Sequence, residues 1–229
     1  MHPVICEIFG LKIYTYGLMV AIAFAVCSLL AINGSEKYSI KKNIIVDAMM
    51  VIFMAGLVGA RLLYVIQNID IFIKNPIEIF DIRSGGMAIQ GSMVLVFFSG
   101  IIFASKKKIS FLRLADYFAP YVALGQGIGR IGCFFNGCCY GREDLIIPVQ
   151  LLDAGILFLM FLLLYFKRQR PHEDGMIIFQ YFLFYSLCRF FVEFLRMDMP
   201  KELLGLNFAQ FISLGVIGSL GVWWFIRRK

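Results

Sequence analysis

The stretch Gly129-Arg130-Ile131-Gly132-Cys133-Phe134-Phe135-Asn136-Gly137-Cys138-Cys139-Tyr140-Gly141 closes an apolar run that begins near residue 115. A run of this length spans a bilayer core of about 30 Å, which takes roughly 20 helical residues. Its last turns hold an arginine, an asparagine and three thiols. A guanidinium at the rim of hydrocarbon is costly and is usually kept for a partner or an anionic ligand. Four glycines in the stretch let backbone approach backbone or ligand closely. It reads as the polar end of a membrane helix, and as the place where function is concentrated.

The apolar character extends over the whole chain. Of 229 residues, 60% are hydrophobic and 16% charged, and the mean hydropathy is +0.81. A soluble domain of this length cannot hide so much apolar surface, so the composition indicates an integral membrane protein. Seven spans are expected, at about 15–33, 45–67, 87–104, 115–136, 149–166, 176–195 and 207–226. The predicted fold is all-α and polytopic, a single domain over 1–229 without linker or internal repeat. Missing repeats give a transporter of the inverted-repeat kind no support. The first span lacks a basic flank and a small-residue cleavage site, so it is expected to remain as a membrane helix.

Basic residues set the orientation. Lys37, Lys41 and Lys42 follow span 1, and Lys106, Lys107, Lys108 and Arg113 lie between spans 3 and 4. Lys167, Arg168 and Arg170 separate spans 5 and 6, and Arg227, Arg228 and Lys229 end the chain. All fall on one side of a seven-span topology, which the positive-inside rule makes cytoplasmic. The N-terminus is then outside and the C-terminus inside. The net charge of +7 is mostly this topology signal, and its dispersal over four loops argues against nucleic acid as a partner. The segment 129–147 falls at the outer end of span 4, together with 68–86 and 197–206. Residues 68–80 mix apolar and charged types, as in a segment lying in the interface or an ordinary amphipathic connector.

Several polar residues do not belong in lipid: Arg61 late in span 2, Arg130 in span 4, and Arg189 and Glu193 in span 6. Arg189 and Glu193 share a helix face, and Arg196 extends it. One account is an ion-pair network that holds the bundle. The other starts from an imbalance, because these arginines have one glutamate nearby and the surplus charge suits a phospholipid phosphate. Guanidinium grips phosphate with a bidentate fork. Cys27 reads as a small buried hydrophobe, while Cys6 and Cys188 are ambiguous. Cys133, Cys138 and Cys139 suit packing, a thiolate nucleophile or a strained Cys138–Cys139 disulfide. They also suit zinc, although no adjacent His or fourth Cys completes a usual set. His2 is terminal and His172 cytoplasmic, so neither reaches an outer site.

Gly129-Arg130-Ile131-Gly132, with Asn136-Gly137 and Gly141, resembles the signature of the bacterial prolipoprotein diacylglyceryl transferase family. Tyr14-Thr15-Tyr16-Gly17 resembles its first-helix tyrosine motif, with Tyr16 the matching tyrosine. Gly59-Ala60-Arg61 is similar to its second-helix arginine motif, and Gly85-Gly86-Met87-Ala88-Ile89-Gln90-Gly91 to its Gly-Gly segment. Arg189 through Arg196, with Glu193, resembles its late motif, and Gly205 through Gln210 with Ser213 the opening of its last helix.

The resemblance implies transfer of a diacylglyceryl group from phosphatidylglycerol to the lipobox cysteine of a preprolipoprotein, in a bacterial plasma membrane. Arg130, Arg189, Glu193 and Cys138 are then the expected catalytic residues. Tyr16, Arg61, Gln90, Cys133, Asn136, Cys139, Gly141 and Arg196 are expected to bind substrate. The expected partners are phosphatidylglycerol, signal peptides of preprolipoproteins and membrane lipids; no cofactor or metal is expected. The chain departs from the family at the site: Gln90 stands for its usual histidine, Cys133 for an asparagine and Cys138 for a glutamate. Two alternatives follow from the thiols. One keeps the lipid donor but uses another thiol acceptor with Cys138 as a covalent relay. The other is a membrane thiol–disulfide oxidoreductase.

Overall fold

The computed structural model describes residues 4–8, 11–38, 40–81, 85–142, 145–197 and 205–227. His2, Arg228, Lys229 and most of the turn 197–206 lie outside the described residues. The chain opens with an antiparallel hairpin, β1 (Val4–Ile8) and β2 (Leu11–Tyr14), which pairs Glu7 with Lys12. No expected span covered it, because a hydropathy reading of long runs is blind to strands this short. Helices follow as α1 (Thr15–Gly34), α2 (Lys42–Gln67), the short α3 (Ile69–Lys74), α4 (Ile89–Lys107), α5 (Phe111–Asn136), α6 (Val149–Lys167), α7 (Met176–Val192) and α8 (Phe208–Arg227).

Six of these, α1, α2, α4, α6, α7 and α8, are long and apolar enough to cross a membrane. Helix α5 matches α2 at 26 residues but is less apolar, with Pro120, Gln126, Arg130 and four glycines interrupting its run. In the most apolar window of α8 only 11% of residues are buried inside the protein. Such outward apolar faces need lipid as their solvent, and the chain is a helical multi-pass membrane protein.

The described residues form two compact units. One comprises residues 32–114. In it α2 and α4 meet backbone to backbone at Gly59 and Gly91, where a Cβ on either glycine would collide with the other's carbonyl oxygen. Ser92 Oγ donates to Gly56 O at 2.6 Å, and the Ala88 N–H donates to Ala60 O at 3.0 Å. Lipid tails give helices no hydrophobic reason to associate, so close approach at small residues supplies the dispersion contacts instead. At the far end of the pair, Lys107 Nζ lies 2.6 Å from Asp47 Oδ2.

The other unit joins Met1–Ala31 to Ala115–Lys229. Its core gathers Ala119 and Ala123 of α5, Leu157, Met160 and Leu164 of α6, and Ile177 and Tyr181 of α7. Pro120 lies inside α5 and removes one helical donor. Two carbonyls beside it receive side-chain donors: Tyr117 O from Arg168 Nη1, and Tyr121 O from Cys27 Sγ at 3.2 Å. Cys27 is thus buried, as expected, and also a donor. Arg168, counted above as a topology charge, is buried at 2% exposure among the rings of Tyr117, Tyr121 and Tyr165. Asp116 caps α7, its carboxylate accepting the N–H groups of Gly175 at 2.6 Å and Ile178 at 2.7 Å. Those N–H groups are among the first-turn donors that a helix cannot satisfy itself.

Candidate active site

Beyond Asn136 the chain reverses. Gly137 (φ 76°) and Cys139 (φ 58°) both adopt the left-handed conformation, common at helix ends but unusual for a residue with a side chain. The Cys138 N–H donates to Cys133 O at 3.1 Å, and the Gly137 N–H to Phe134 O at 3.3 Å. This reversal carries the last two thiols back onto the first. The Sγ atoms of Cys133, Cys138 and Cys139 all lie within 4.8 Å of one another, and none is in a disulfide. Gln150 of α6 clamps the turn by donating from Nε2 to Cys138 O at 3.0 Å.

The segment then pairs with the residues after α7. Gly141 bridges Arg196, the Arg142 N–H donates to Leu195 O at 3.1 Å, and the Met197 N–H donates to Tyr140 O at 3.4 Å. Gly141 is required here, because a Cβ would strike Val149 and lie 2.7 Å from Leu195 O. Two stretches more than fifty residues apart in sequence are thereby stitched into one wall.

Charge is concentrated along that wall. Arg130 Nε lies 2.8 Å from Asp153 Oδ2 of α6, and Tyr185, Cys133 and Cys139 are within electrostatic reach of the guanidinium. Glu193 is buried at 3% exposure. It lies 2.9 Å from Arg189 Nη2 and 3.6 Å from Arg196 Nη1, and it accepts from Asn207 Nδ2 at 3.0 Å. The Arg189–Glu193 contact is an ion pair without aligned hydrogen-bond geometry. Arg189 Nη1 is buried and has no hydrogen-bond partner among the described residues. Asn207 and Gln210 hold each other at the start of α8: the Gln210 N–H donates to Asn207 Oδ1 at 3.1 Å and the Asn207 N–H to Gln210 Oε1 at 3.0 Å. This reciprocal pattern is a capping box, and it aims the Asn207 amide at Glu193.

One unit thus brings together Arg130, Cys133, Cys138, Cys139, Gly141, Arg189, Glu193 and Arg196. Tyr16, in the first turn of α1, packs beside Gly132, whose Cβ position would lie 3.5 Å from Tyr16 Cδ2. Asn136 is the half-buried last residue of α5. Arg61 and Gln90 belong to the other unit. Gln90 is exposed in the first turn of α4.

Arg61 is 8% exposed, and its donors go to backbone carbonyls: Nε to Ile79 O at 2.9 Å, Nη1 to Gly85 O at 2.7 Å and Gly86 O at 3.0 Å, and Nη2 to Glu78 O. The rings of Tyr64 and Phe72 flank it at 5.7 and 5.3 Å. The surplus of positive charge inferred from sequence is therefore too large. Asp153 pairs with Arg130, and carbonyl dipoles satisfy Arg61. Asp153 was legible as a carboxylate inside an apolar span, and Asn207-x-x-Gln210 as a capping box. Gln150 gave no comparable signal.

Comparison with known proteins points to one family. A family model described as prolipoprotein diacylglyceryl transferase matches residues 3–227. The phosphatidylglycerol–prolipoprotein diacylglyceryl transferase of Clostridium tetani is 34% identical over 95% of this chain and 94% of its own length. That of Finegoldia magna is 34% identical over 95% and 92%, and that of Clostridioides difficile 32% identical over 100% and 97%.

Proposed function

The chain belongs to the prolipoprotein diacylglyceryl transferase family, and we propose that it moves the diacylglyceryl group of phosphatidylglycerol onto the lipobox cysteine thiol of preprolipoproteins. It is a transferase. The observation that supports the reading at particular atoms is Arg189 Nη1, a buried donor that has no hydrogen-bond partner among the described residues and belongs to a guanidinium paired with Glu193. An unmade hydrogen bond to a charged group costs several kcal/mol in hydrocarbon, so the nitrogen is poised for a ligand oxygen. A phosphate supplies that oxygen.

In the reaction the acceptor thiolate attacks the glyceryl carbon that bears the phosphate. A C–S bond forms, the C–O bond breaks, and glycerol phosphate leaves with the electron pair. Arg189 and Arg130 stabilise charge growing on the departing phosphate, a preorganised arrangement that costs nothing at the moment of reaction. Glu193, gripped by two guanidiniums and an amide, positions Arg189 and Arg196. Asp153 does the same for Arg130. Tyr16 and Asn136 line the same end of α1 and α5, where the glyceryl and headgroup hydroxyls would lie.

The basic residues of the four loops support a seven-span topology with the N-terminus outside. The site then faces the outer leaflet of a bacterial plasma membrane, where membrane lipid and the signal peptides of preprolipoproteins both arrive. The match over 3–227 supports one domain. The test is transfer of labelled diacylglycerol from phosphatidylglycerol to a lipobox peptide by the purified chain. Label should appear on the cysteine peptide and not on its serine counterpart. Transfer from other phospholipids with equal efficiency, or none from phosphatidylglycerol, would end the reading.

A further inference from the structure

Thioether formation needs a thiolate, since the protonated thiol is a poor nucleophile. The chain has only two histidines, His2 and His172. His172 lies beside Asp116, at the opposite end of α5 from the signature loop. Glu193 is committed to its arginines. The signature segment at the end of α5 and just beyond it offers three thiols.

We propose that Cys133, Cys138 and Cys139 bind a zinc ion whose fourth position receives the lipobox thiol of the acceptor, so that the metal rather than a base generates the thiolate. The inference rests on the transferase reading for the identity of the fourth ligand; the three-thiol site itself does not. Zinc bonds to thiolate sulfur at about 2.3 Å in a tetrahedron, which sets sulfurs about 3.8 Å apart. The three Sγ atoms already lie within 4.8 Å of one another, so closure on an ion takes side-chain movements of about 1 Å at most.

The number of ligands is informative. Structural zinc sites are closed by four protein groups, whereas catalytic sites use three and leave one position open. Among the described residues three sulfurs share the site and no fourth protein ligand joins them, which matches the second kind. Among the described residues this is the one group of His, Cys, Asp or Glu side chains found with metal-ligand spacing.

The site is also built. Cys139 holds a left-handed backbone that favours glycine, and without that turn its sulfur would not return to Cys133. Gln150 fixes the carbonyl of Cys138. Cys133 is buried while Cys138 and Cys139 are half-exposed, so one side of the cluster is open to an incoming thiol. Arg130 is near enough to Cys133 and Cys139 for their charges to interact and offsets the negative charge of a thiolate-rich ion.

The steps balance. Binding the metal releases the protons of the three cysteine thiols. The acceptor thiol displaces a zinc-bound water and loses its proton to interfacial water, because a coordinating thiol is deprotonated outright. The bound sulfur then attacks the glyceryl carbon, the C–O bond to phosphate breaks, and glycerol phosphate departs with the electron pair. The resulting thioether is a weak ligand, and water replaces it.

The test uses the full chain in detergent, stripped by a chelator and reloaded with zinc or cobalt(II). One zinc per chain is expected by elemental analysis, retained in Cys188→Ser and lost in Cys133→Ser, Cys138→Ser and Cys139→Ser. Cobalt should give thiolate charge-transfer and tetrahedral ligand-field bands. These bands should shift when the lipobox peptide is added and stay unchanged with its serine counterpart. Stripping should lower transfer about 100-fold or more, the scale of a lost general base, and zinc should restore it. Full transfer by stripped protein, less than one bound metal with a normal melting profile, or a lipid adduct on Cys138 would each overturn the metal site and leave the transferase standing. Stoichiometric metal with a peptide-dependent cobalt shift but no transfer from phosphatidylglycerol would instead support the site and overturn the transferase reading.

Discussion

Arg61, buried, and Arg189, half-buried, both sit in apolar helices, yet they are used in opposite ways. Arg61 spends its three nitrogens on the carbonyls of Glu78, Ile79, Gly85 and Gly86, and two rings cover it. Among the described residues Arg189 meets one carboxylate and keeps Nη1 without a hydrogen-bond partner. The first guanidinium organises a connector by closing backbone around itself. The second is held by its counterion and left one donor short. A deep arginine is therefore not evidence of an anion site until its donors have been counted.

The largest effect is expected at Arg189. Arg189→Lys keeps the charge but loses the fork, and kcat/KM for lipid transfer should fall about 1000-fold, or ~4 kcal/mol, with the melting temperature little changed. For Arg61→Lys the damage should go to the fold. Stranded carbonyls cost ~3 kcal/mol of stability, seen as a lower midpoint in thermal denaturation, while activity tracks the folded fraction. If Arg61→Lys instead melts normally and loses transfer as Arg189→Lys does, the contrast between the two arginines is wrong.

A smaller effect should come from the Arg130–Asp153 pair. Arg130→Gln and Asp153→Asn, alone and together, should show a coupling of ~2 kcal/mol in the transfer reaction. Additive losses would mean that Asp153 does not hold Arg130 for its task. Asn207→Ala should cost the least, ~1 kcal/mol of stability as a lost helix cap. It should also lower transfer slightly, because the amide that steadies Glu193 goes with it; an unchanged melting profile would count against the cap.

The helices were legible because their apolar runs end at sharp punctuation. Span 149–166 is observed as Val149–Lys167 behind Pro148, and span 15–33 as Thr15–Gly34. The expected 115–136 starts four residues early, at Phe111, because Ser110 and Arg113 form its first turn rather than a loop. The site was legible where chemistry is carried by side-chain type, as in Arg189, Glu193 and Arg196. It was not legible where the partner is backbone, since no residue identity announces that Gly85 and Gly86 will present carbonyls to Arg61. Asp153 lies between these cases: the residue was visible, and only the fold reveals which arginine it meets.

The cap that Asp116 places on α7 has a consequence at the other end of the bundle. Fourteen residues separate Asp116 from Arg130 along α5, and fourteen separate Gly175 from Arg189 along α7. At 1.5 Å per residue each helix rises about 21 Å from the shared tie. The contact thus acts as the zero mark of two equal rulers, each placing its arginine fourteen residues beyond the tie. A one-residue insertion in either helix between tie and arginine would lift one side chain by about 1.5 Å and turn it by about 100°, leaving the composition of the candidate site intact and its two guanidiniums out of register.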